Sequence, residues 1–208
     1  MPRVHRQELQ RAHGGLQFRS LSRVSIHGGS QCRRRTHHRP SRSSRSMTGR
    51  AWKFGDDVNT DVLAPGTYIK LPPEELALHC LETVAPRFAT SVQPGDFVVG
   101  GKNFGTGSSR EQAAQSLKVL GVAGVIAPSF GGIFYRNAFN LGLPAIIVLN
   151  LSMIDDGDEL RVDMITGEVF NMTSNEKIIG EPVPKNLLEI VAAGGLVPYL
   201  DNRLNGKD

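Results

Sequence analysis

Strand-like and helix-like segments alternate between residues 97 and 149 of this 208-residue chain. They are a strand at 97–99, a helix at 111–120, a strand at 122–127, a helix at 132–141 and a strand at 143–149. Gly121 and Gly142 follow the two helices, where glycine commonly ends a helix. Short links between such segments give parallel strands joined by right-handed crossovers. The alternation therefore predicts an α/β fold built on a parallel sheet.

The segments on both sides of this alternation predict further elements. They are a strand at 51–54, a helix at 72–81, a hairpin with strands at 160–164 and 168–171, and an amphipathic helix at 184–193. The stretch 62–69 is apolar, but Pro65 and Gly66 interrupt it. This composition favours a loop that crosses a cleft over a regular strand.

A glycine-rich run, Gly-Thr-Gly-Ser-Ser-Arg-Glu, occupies 105–111 between a predicted strand and a predicted helix. Such a turn directs unpaired backbone N–H groups to one place, and the helix dipole adds partial positive charge there. Arg110 contributes a planar set of donors suited to a carboxylate or a phosphate. Ser108 and Glu111 also fit a capping box, in which the serine would only cap the helix. The run therefore predicts either a binding site for an acid or a tight turn with an ordinary cap.

Two nucleotide-binding explanations of this run are excluded by its sequence. A dinucleotide-binding fingerprint requires a third glycine at the position where Arg110 stands. A Walker A loop requires a lysine between its last glycine and the hydroxyl residue, and the run contains no lysine. An acid other than a nucleotide is therefore the ligand that we expect.

Charge is divided unevenly along the chain. Residues 1–50 contain twelve arginines, no lysine and a single acid, Glu8, which leaves eleven excess positive charges. Residues 51–208 contain twelve basic and nineteen acidic side chains, a net charge of −7. The part with globular composition is therefore acidic, which argues against a nucleic-acid partner. No apolar run reaches the length of a membrane span, so no membrane partner is predicted either.

Histidine and cysteine are sparse in the globular part of the chain. Five of the six histidines precede residue 51, and His79 is the sixth. Cys32 and Cys80 are the only cysteines, so neither a disulfide framework nor a zinc or iron–sulfur spacing can be drawn. We therefore expect any metal chemistry to come from another chain. His79 and Cys80 fall in a helical pattern and are expected to be ordinary helix residues.

Residues 1–46 are rich in Arg, Ser, His and Gly and form a separate basic extension in this prediction. Their composition is typical of an organellar transit peptide and also of a disordered segment. A mitochondrial or plastid location follows if they are a transit peptide. Met47 begins a sequence that resembles a natural start, and a cytoplasmic location follows if translation starts there. Both interpretations remain open.

Two polar groups outside the glycine-rich run have simple explanations. The sequence Asn-Thr-Asp at 59–61 is compatible with an Asx-type turn and no further role. Lys70 follows an apolar loop and could be an ordinary surface lysine.

Three stretches together resemble the small subunit of 3-isopropylmalate dehydratase, which corresponds to the swivelling domain of aconitase. They are Trp-Lys-Phe-Gly-Asp-Asp-Val-Asn-Thr-Asp at 52–61, Gly-Lys-Asn-Phe-Gly-Thr-Gly-Ser-Ser-Arg-Glu-Gln at 101–112 and Ile-Phe-Tyr-Arg-Asn at 133–137. The resemblance covers about residues 47–191. It implies a three-layer β/β/α swivelling domain over 47–208, with a short C-terminal hairpin and helix.

The resemblance also implies an activity and a partner. The family's enzymes are hydro-lyases of leucine biosynthesis that act on a small hydroxy di-acid and are active only with a large subunit. The large subunit carries a [4Fe–4S] cluster, so this chain would bind no cofactor itself. Ser108 matches the family's catalytic base, and Asp61 matches an active-site acid that orients its neighbours. Ser109 and Arg110 match groups that bind the substrate carboxylate.

Tyr68 and Lys70 match the loop that recognises the side group of the substrate in this family. The family loop often reads Tyr-Leu-Arg, whereas Lys70 here cannot form a bidentate contact with a carboxylate as arginine does. Thr106 stands where the family commonly has cysteine. The substrate could therefore be isopropylmalate or the acid of a homoaconitate or 2,3-dimethylmalate dehydratase. A non-catalytic carboxylate-binding module is the alternative from another functional class.

Overall fold

The computed structural model describes residues 46–206, which form seven strands and seven helices. The strands are β1 Ser46–Lys53, β2 Phe97–Val99, β3 Gly124–Ala127, β4 Ala145–Ile147, β5 Glu159–Asp163, β6 Glu168–Asn171 and β7 Glu176–Ile179. The helices are α1 Thr60–Leu63, α2 Pro73–Ala77, α3 Phe88–Ser91, α4 Gln112–Val119, α5 Gly132–Asn140, α6 Lys185–Ala193 and α7 Leu196–Leu204. A 3₁₀ turn at Gly66–Tyr68 lies between α1 and α2.

All seven strands belong to one sheet with the order β4-β3-β2-β1-β5-β6-β7. Strands β1 to β4 are parallel to one another, and for β2 to β4 the alternation of strands and helices predicts this. Strands β5 to β7 are antiparallel, and β1 joins the two parts of the sheet. Its second half, from Ala51 to Lys53, pairs with β2, and its first half, from Ser46 to Arg50, pairs with β5.

The parallel strands separate two hydrophobic cores, because successive side chains of a strand point to opposite faces. On β2, Val98 faces a core that is shared with α2 and α4, whereas Phe97 and Val99 face a second core. The second core also contains Leu160 and Val162 of β5. The antiparallel strands, together with α6, therefore pack over one face of the parallel strands, and helices such as α2 and α4 pack over the other. The predicted three-layer β/β/α fold is confirmed.

Several elements before the alternating region differ from the prediction. Helix α1 and the 3₁₀ turn at Gly66–Tyr68 fall partly or wholly in the predicted loop 62–69, and α3 was not predicted. Strand β1 begins at Ser46, five residues before the predicted start, because its first half pairs with β5. The helix predicted at 72–81 ends at Ala77, after which the chain continues in tight turns. Leu81 takes the left-handed conformation with φ of 61° and donates its N–H to the carbonyl of Val62 at 2.9 Å. This long-range bond redirects the chain where the periodicity alone predicts further helix.

The C-terminal part contains two elements that the sequence analysis did not predict. Strand β7 extends the predicted hairpin to three strands, and α7 follows α6 after Gly194 and Gly195. Gly194, with φ of 91°, ends α6 as predicted. Pro198 lies in the first turn of α7, where the missing N–H costs little.

The predictions for the basic extension lie outside the described residues, apart from Ser46. Within residues 46–206, no helix combines the length and the hydrophobicity that are required to cross a membrane.

Candidate active site

The glycine-rich loop lies at the carboxyl ends of the parallel strands, where the loops after β1, β2 and β3 meet. The N–H of Gly105 donates to the carbonyl of Val58 at 2.7 Å, which joins the loop to the segment after β1. The N–H of Gly131 donates to the carbonyl of Phe104 at 2.8 Å, which joins it to the segment after β3. In open α/β sheets, ligands bind at this edge.

An aromatic cluster supports the loop from below. Phe104 is fully buried and meets the rings of Phe130 and Phe134 edge-on, with centroid distances of 6.1 and 5.3 Å. Gly105, with φ of 73°, lies directly over Phe134, and a Cβ atom there would come within 2.2 Å of that ring. Only glycine allows the backbone to pass this close to the ring. The base of the loop is therefore rigid.

Thr60 holds the loop from the side. Its hydroxyl oxygen accepts the N–H of Ser108 at 2.9 Å, and its own N–H donates to the carbonyl of Thr106 at 2.9 Å. A Cβ atom on Gly107, whose φ is 121°, would lie 2.7 Å from the Thr60 hydroxyl. Thr60 is buried at the start of α1. Asn59 caps that helix, because its side-chain oxygen accepts the N–H groups of Asp61 and Val62, both at 3.0 Å. The expected Asx-type turn is thus present and places Thr60 against the loop.

Asp61 and Arg110 form an ion pair between the same two segments. The Nη1 group of Arg110 donates to the Asp61 carboxylate and to the carbonyl of Ala64 at 3.0 Å. The Arg110 side chain is 25% exposed and the Asp61 side chain 63% exposed. Of the five N–H donors of a guanidinium, three on Nη2 and Nε remain for another acceptor. The pair therefore fixes the orientation of Arg110 and leaves donors available at the surface.

Ser108 and Ser109 are both exposed, and their loop does not cap α4. The predicted capping box is wrong, because α4 begins only at Gln112 and Glu111 precedes it without a side-chain cap. The Ser108 hydroxyl forms no capping bond to α4, and the backbone N–H of Ser108 donates to Thr60. Within residues 46–206, the N–H groups of Ser109, Arg110 and Glu111 donate to no protein acceptor. The loop therefore offers hydroxyl and N–H groups to an anion from outside.

Tyr68 and Lys70 lie on the segment next to this ion pair. A Cβ atom on Gly66, two residues before Tyr68, would lie 3.5 Å from Nη2 of Arg110. The Tyr68 ring is half-buried and stacks on His79, with centroids 3.6 Å apart and ring planes at 13°. Lys70 is exposed and, within the described part of the chain, forms no ion pair or hydrogen bond. The structure therefore brings Asp61, Arg110 and the Tyr68 segment together but leaves Lys70 without a contact to them.

The described residues do not fit a metal or an iron–sulfur cluster. Among residues 46–206, no three side chains of His, Cys, Asp or Glu lie close enough to share a metal ion. Cys80 is fully buried, and burial raises the pKa of its thiol, so the thiolate form that binds metals is suppressed. A cluster would therefore need ligands from elsewhere.

Two residues of this region were not predicted as parts of the site. Thr60 stands between Asn59 and Asp61, and an asparagine before a short helix could have indicated that its neighbour is held in place. His79 was expected to be an ordinary helix residue, yet it lies in the turns after α2 and contacts Tyr68. No local pattern indicates this contact.

An apolar cavity of about 640 Å³ lies away from these groups. Met47 at the amino end of β1 and Pro144 before β4 line it, together with Met164, Leu188 and Val191. It therefore opens at the opposite edge of the parallel strands and contains none of the candidate site residues.

Comparison with known proteins identifies the family. Residues 79–151 match the family model of the aconitase C-terminal domain, and this range includes the glycine-rich loop. The chain is 51% identical over 156 residues to 3-isopropylmalate dehydratase small subunit 2 of Archaeoglobus fulgidus, covering 74% of this chain and 94% of that protein. It is 49% identical over 160 residues to the isopropylmalate/citramalate isomerase small subunit of Methanocaldococcus jannaschii, covering 76% and 95%.

A crystal structure agrees with this assignment. The 3-isopropylmalate dehydratase of Methanocaldococcus jannaschii superimposes with a TM-score of 0.74 at 46% identity, over 78% of this chain and 97% of that one. Both the fold and the sequence therefore confirm the resemblance carried by the three motifs. The chain belongs to the family of 3-isopropylmalate dehydratase small subunits of the aconitase superfamily.

Proposed function

We propose that this chain is the small subunit of a two-chain hydro-lyase that interconverts 2-isopropylmalate and 3-isopropylmalate in leucine biosynthesis. The observation that carries the proposal is the exposed Ser108–Ser109–Arg110 loop, held by Thr60 and by the ion pair to Asp61. Family membership supports the reaction, since relatives with 45–51% identity bear the dehydratase name.

In this proposal Ser108 is the catalytic base. Dehydration of a β-hydroxy acid removes a proton from the carbon next to a carboxylate, and negative charge accumulates on that carboxylate. Preorganised N–H groups and a guanidinium stabilise such charge without reorganisation. The unpaired N–H groups of Ser109 and Glu111 and the donors of Arg110 have this character. The same positive surroundings favour the alkoxide of Ser108 once a partner surface excludes water.

Ser109 and Arg110 bind the substrate carboxylate in this proposal, and Asp61 orients Arg110. The Asp61 carboxylate and the Ala64 carbonyl hold one end of the guanidinium. The other end can then meet a carboxylate with two parallel hydrogen bonds. Arg110→Lys should raise the Michaelis constant, because the lysine cation provides no such pair.

A large subunit completes the site in this proposal and carries the [4Fe–4S] cluster. Both serines are exposed on an open face, and the described residues do not fit a metal, so a second surface must enclose the substrate. The cluster supplies the Lewis acid for the substrate hydroxyl. This chain supplies the base and the carboxylate site.

The segment with Tyr68 and Lys70 recognises the side group of the substrate in this proposal. Both residues lie on the chain that follows Ala64 and Gly66, which contact Arg110. The substrate carboxylate and the side group would then be held by adjoining segments. The Methanocaldococcus jannaschii relative is named for both isopropylmalate and citramalate, so related di-acids are included among the candidate substrates.

The test is reconstitution of the cognate large subunit with Ser108→Ala. Removal of a general base should lower turnover by about 10²–10⁴-fold, while the melting temperature stays the same because the hydroxyl is exposed. Ser91→Ala, at an exposed serine of α3, is the matched control and should be fully active. Near-normal turnover of Ser108→Ala would remove the base from this proposal. Binding of di-acids by the isolated chain, without association with the large subunit, would favour the non-catalytic module.

We also propose that residues 1–46 are a targeting extension outside the small-subunit domain of 47–208. Their basic composition supports this proposal. Mass spectrometry of the mature N-terminus tests it. A new terminus near Met47 in an organelle fraction supports import, and an intact first residue contradicts it.

A further inference from the structure

The ring of Tyr68 rests on an imidazole that belongs to a different segment of the chain. The Tyr68 and His79 rings are 3.6 Å apart and almost parallel, so they stack over their faces. His79 is 30% exposed and lies in the turns after α2. Among the aromatic pairs of the described residues, this stack has the shortest distance between ring centroids. It lies beside the candidate site.

Glu82 fixes the orientation of the His79 ring. The Nδ1 atom of His79 is 2.7 Å from the Glu82 carboxylate. An ionised carboxylate only accepts hydrogen bonds, so Nδ1 must carry its hydrogen toward Glu82. The ring is therefore held at its Nδ1 edge while one of its faces supports Tyr68.

The turn that carries His79 is anchored to the helix that carries Asp61. Leu81 is fully buried and donates its N–H to the carbonyl of Val62 in α1. Cys80 is buried beside it in the same core. A left-handed backbone at a leucine is costly and persists only where surrounding contacts enforce it. The His79 ring therefore has a fixed position relative to Asp61.

The Tyr68 segment itself has little other support. Within the described part of the chain, the backbone hydrogen bonds that the segment from Pro65 to Leu71 makes all connect residues of that segment. Side-chain packing must therefore locate it relative to the site. Tyr68 and Ile69 provide this packing as partly buried residues at the edge of one core.

We propose that His79 is a positioning residue that sets which substrate side groups the enzyme accepts. Its imidazole, oriented by Glu82, is the platform on which Tyr68 stacks. The stack determines how far the Gly66–Tyr68 turn stands from the Arg110 guanidinium. This inference rests on the proposed function for the meaning of the Tyr68 segment, but the platform itself can be tested without substrate.

The first experiment uses limited digestion of the isolated full chain with trypsin, followed by mass spectrometry of the fragment that ends at the exposed Lys70. His79→Ala should increase the rate of cleavage after Lys70 by about fivefold, because an aromatic pair contributes that much to holding two segments together. His79→Phe keeps an aromatic face and should be cleaved as slowly as the wild type. Leu78→Ala, at the exposed neighbouring position, is the control for the turn.

The second experiment compares reconstituted enzymes on di-acids with methyl and isopropyl side groups. His79→Ala should raise the Michaelis constant about fivefold for the isopropyl substrate, with turnover number within about twofold, since aromatic stacking contributes to binding and not to the chemical step. His79→Phe should have a Michaelis constant for the isopropyl substrate close to that of the wild type. Glu82→Gln keeps an oxygen that can accept the hydrogen bond from Nδ1, so its Michaelis constant should stay near that of the wild type.

Three outcomes would overturn the inference. They are unchanged cleavage after Lys70 in His79→Ala, failure of His79→Phe to restore slow cleavage, and faster cleavage without any change in the ratio between the two substrates. A wild-type complex that dehydrates neither acid would contradict the proposed function instead. Faster cleavage in His79→Ala would then still establish the platform.

Discussion

At the scale of single residues, Thr60 connects the two segments of the candidate site. Its hydroxyl accepts the N–H of Ser108, and the next residue, Asp61, pairs with Arg110. Two adjacent residues after β1 thus hold Ser108 and Arg110 of the glycine-rich loop. Any substitution that changes Thr60 should therefore affect Ser108 before it affects the rest of the fold.

Thr60→Val provides a direct test, because valine has a similar shape and no hydroxyl. The N–H of Ser108 would lose its acceptor, and an unpaired, partly buried donor costs about 1–3 kcal/mol of unfolding free energy. Turnover of the reconstituted enzyme should fall by about 5–150-fold if the same free energy is lost in positioning Ser108, since 1.4 kcal/mol corresponds to about tenfold. Urea unfolding and steady-state kinetics measure the two effects.

Thr60→Ser is the matched variant for this test, since it keeps the hydroxyl and loses one methyl group. It should retain most of the turnover and differ from the wild type by less than Thr60→Val in unfolding free energy. Equal activity of the serine and valine variants would show that the hydroxyl does not position Ser108.

The sequence identifies some of these residues better than others. Ser108 and Arg110 are recognisable because they occur together in one contiguous run after two glycines. Thr60 and His79 act through contacts with residues 48 and 11 positions away, and no local spacing records such contacts. The predicted cap at Ser108 was wrong because α4 begins only at Gln112, four residues after this serine.

At the scale of elements, the turn before β5 is tied to β6 by a buried amide. Asn171 is fully buried on β6, and its Nδ2 group donates to the carboxylate of Asp158 at 2.7 Å and to the carbonyl of Met153 at 2.8 Å. Asp158 also accepts the N–H of Asp155 at 2.7 Å. These hydrogen bonds lower the pKa of Asp158, and the bond from the Asp155 N–H has the largest effect.

This network makes stability depend on pH in a defined direction. The folded pKa of Asp158 lies below the 3.8 of an unperturbed aspartate, so the unfolded chain binds the proton more readily. The contribution is therefore complete well above pH 3.8 and is lost as the pH falls through the lower, folded value. Asp158→Asn should be less stable than the wild type near neutral pH, and the difference should shrink in acid.

Urea midpoints measured at intervals from about pH 7 to about pH 3, the range in which a carboxylate titrates, check this expectation. Asp201→Asn controls for the change in net charge, because Asp201 is exposed and its side chain forms no hydrogen bond or ion pair with the described residues. A difference between wild type and Asp158→Asn that stays constant over this range would contradict the role of the carboxylate.

The elements that periodicity defines well were predicted, and those that depend on distant pairing were not. Strands β2 to β4 and helices α4 and α5 were expected within a few residues, since each carries a clear apolar pattern. Strand β7 was missed because its Glu-Lys-Ile-Ile sequence has only one buried side chain, Ile178. Helix α7 was missed because Pro198 and the two preceding glycines resemble the end of structured chain.

At the scale of the whole molecule, β1 to β3 contribute side chains to both cores. The same three strands separate the two cores. Unfolding of one core would therefore expose side chains of the other core to water. We therefore expect one cooperative unfolding transition for the described domain.

Leu117→Ala and Leu160→Ala test this expectation from opposite sides of the sheet. Each leucine is fully buried, Leu117 against the helices and Leu160 against the antiparallel strands. Each variant should lose about 2–5 kcal/mol of unfolding free energy. Trp52, the single tryptophan, packs against Phe88 on the helical side, so its fluorescence reports one core specifically.

In Leu160→Ala, the tryptophan fluorescence and the far-ultraviolet circular dichroism should change at the same denaturant concentration, although the substitution lies in the other core. Separate midpoints would show that the two layers unfold independently. Phe170→Ala, on the outer face of β6, is a control that removes apolar surface from neither core.

The division of β1 between its two neighbours has a consequence for how the protein is made. Ser46 pairs with Asp163, which leaves the ribosome 117 residues later. Among residues 46–206, β1 is the first strand to be synthesised, and the edge that pairs with β5 lacks its partner until most of the chain has emerged. Contacts this distant in sequence form slowly. During synthesis we expect chaperones to bind at this unpaired strand edge, and two nascent chains could aggregate through it.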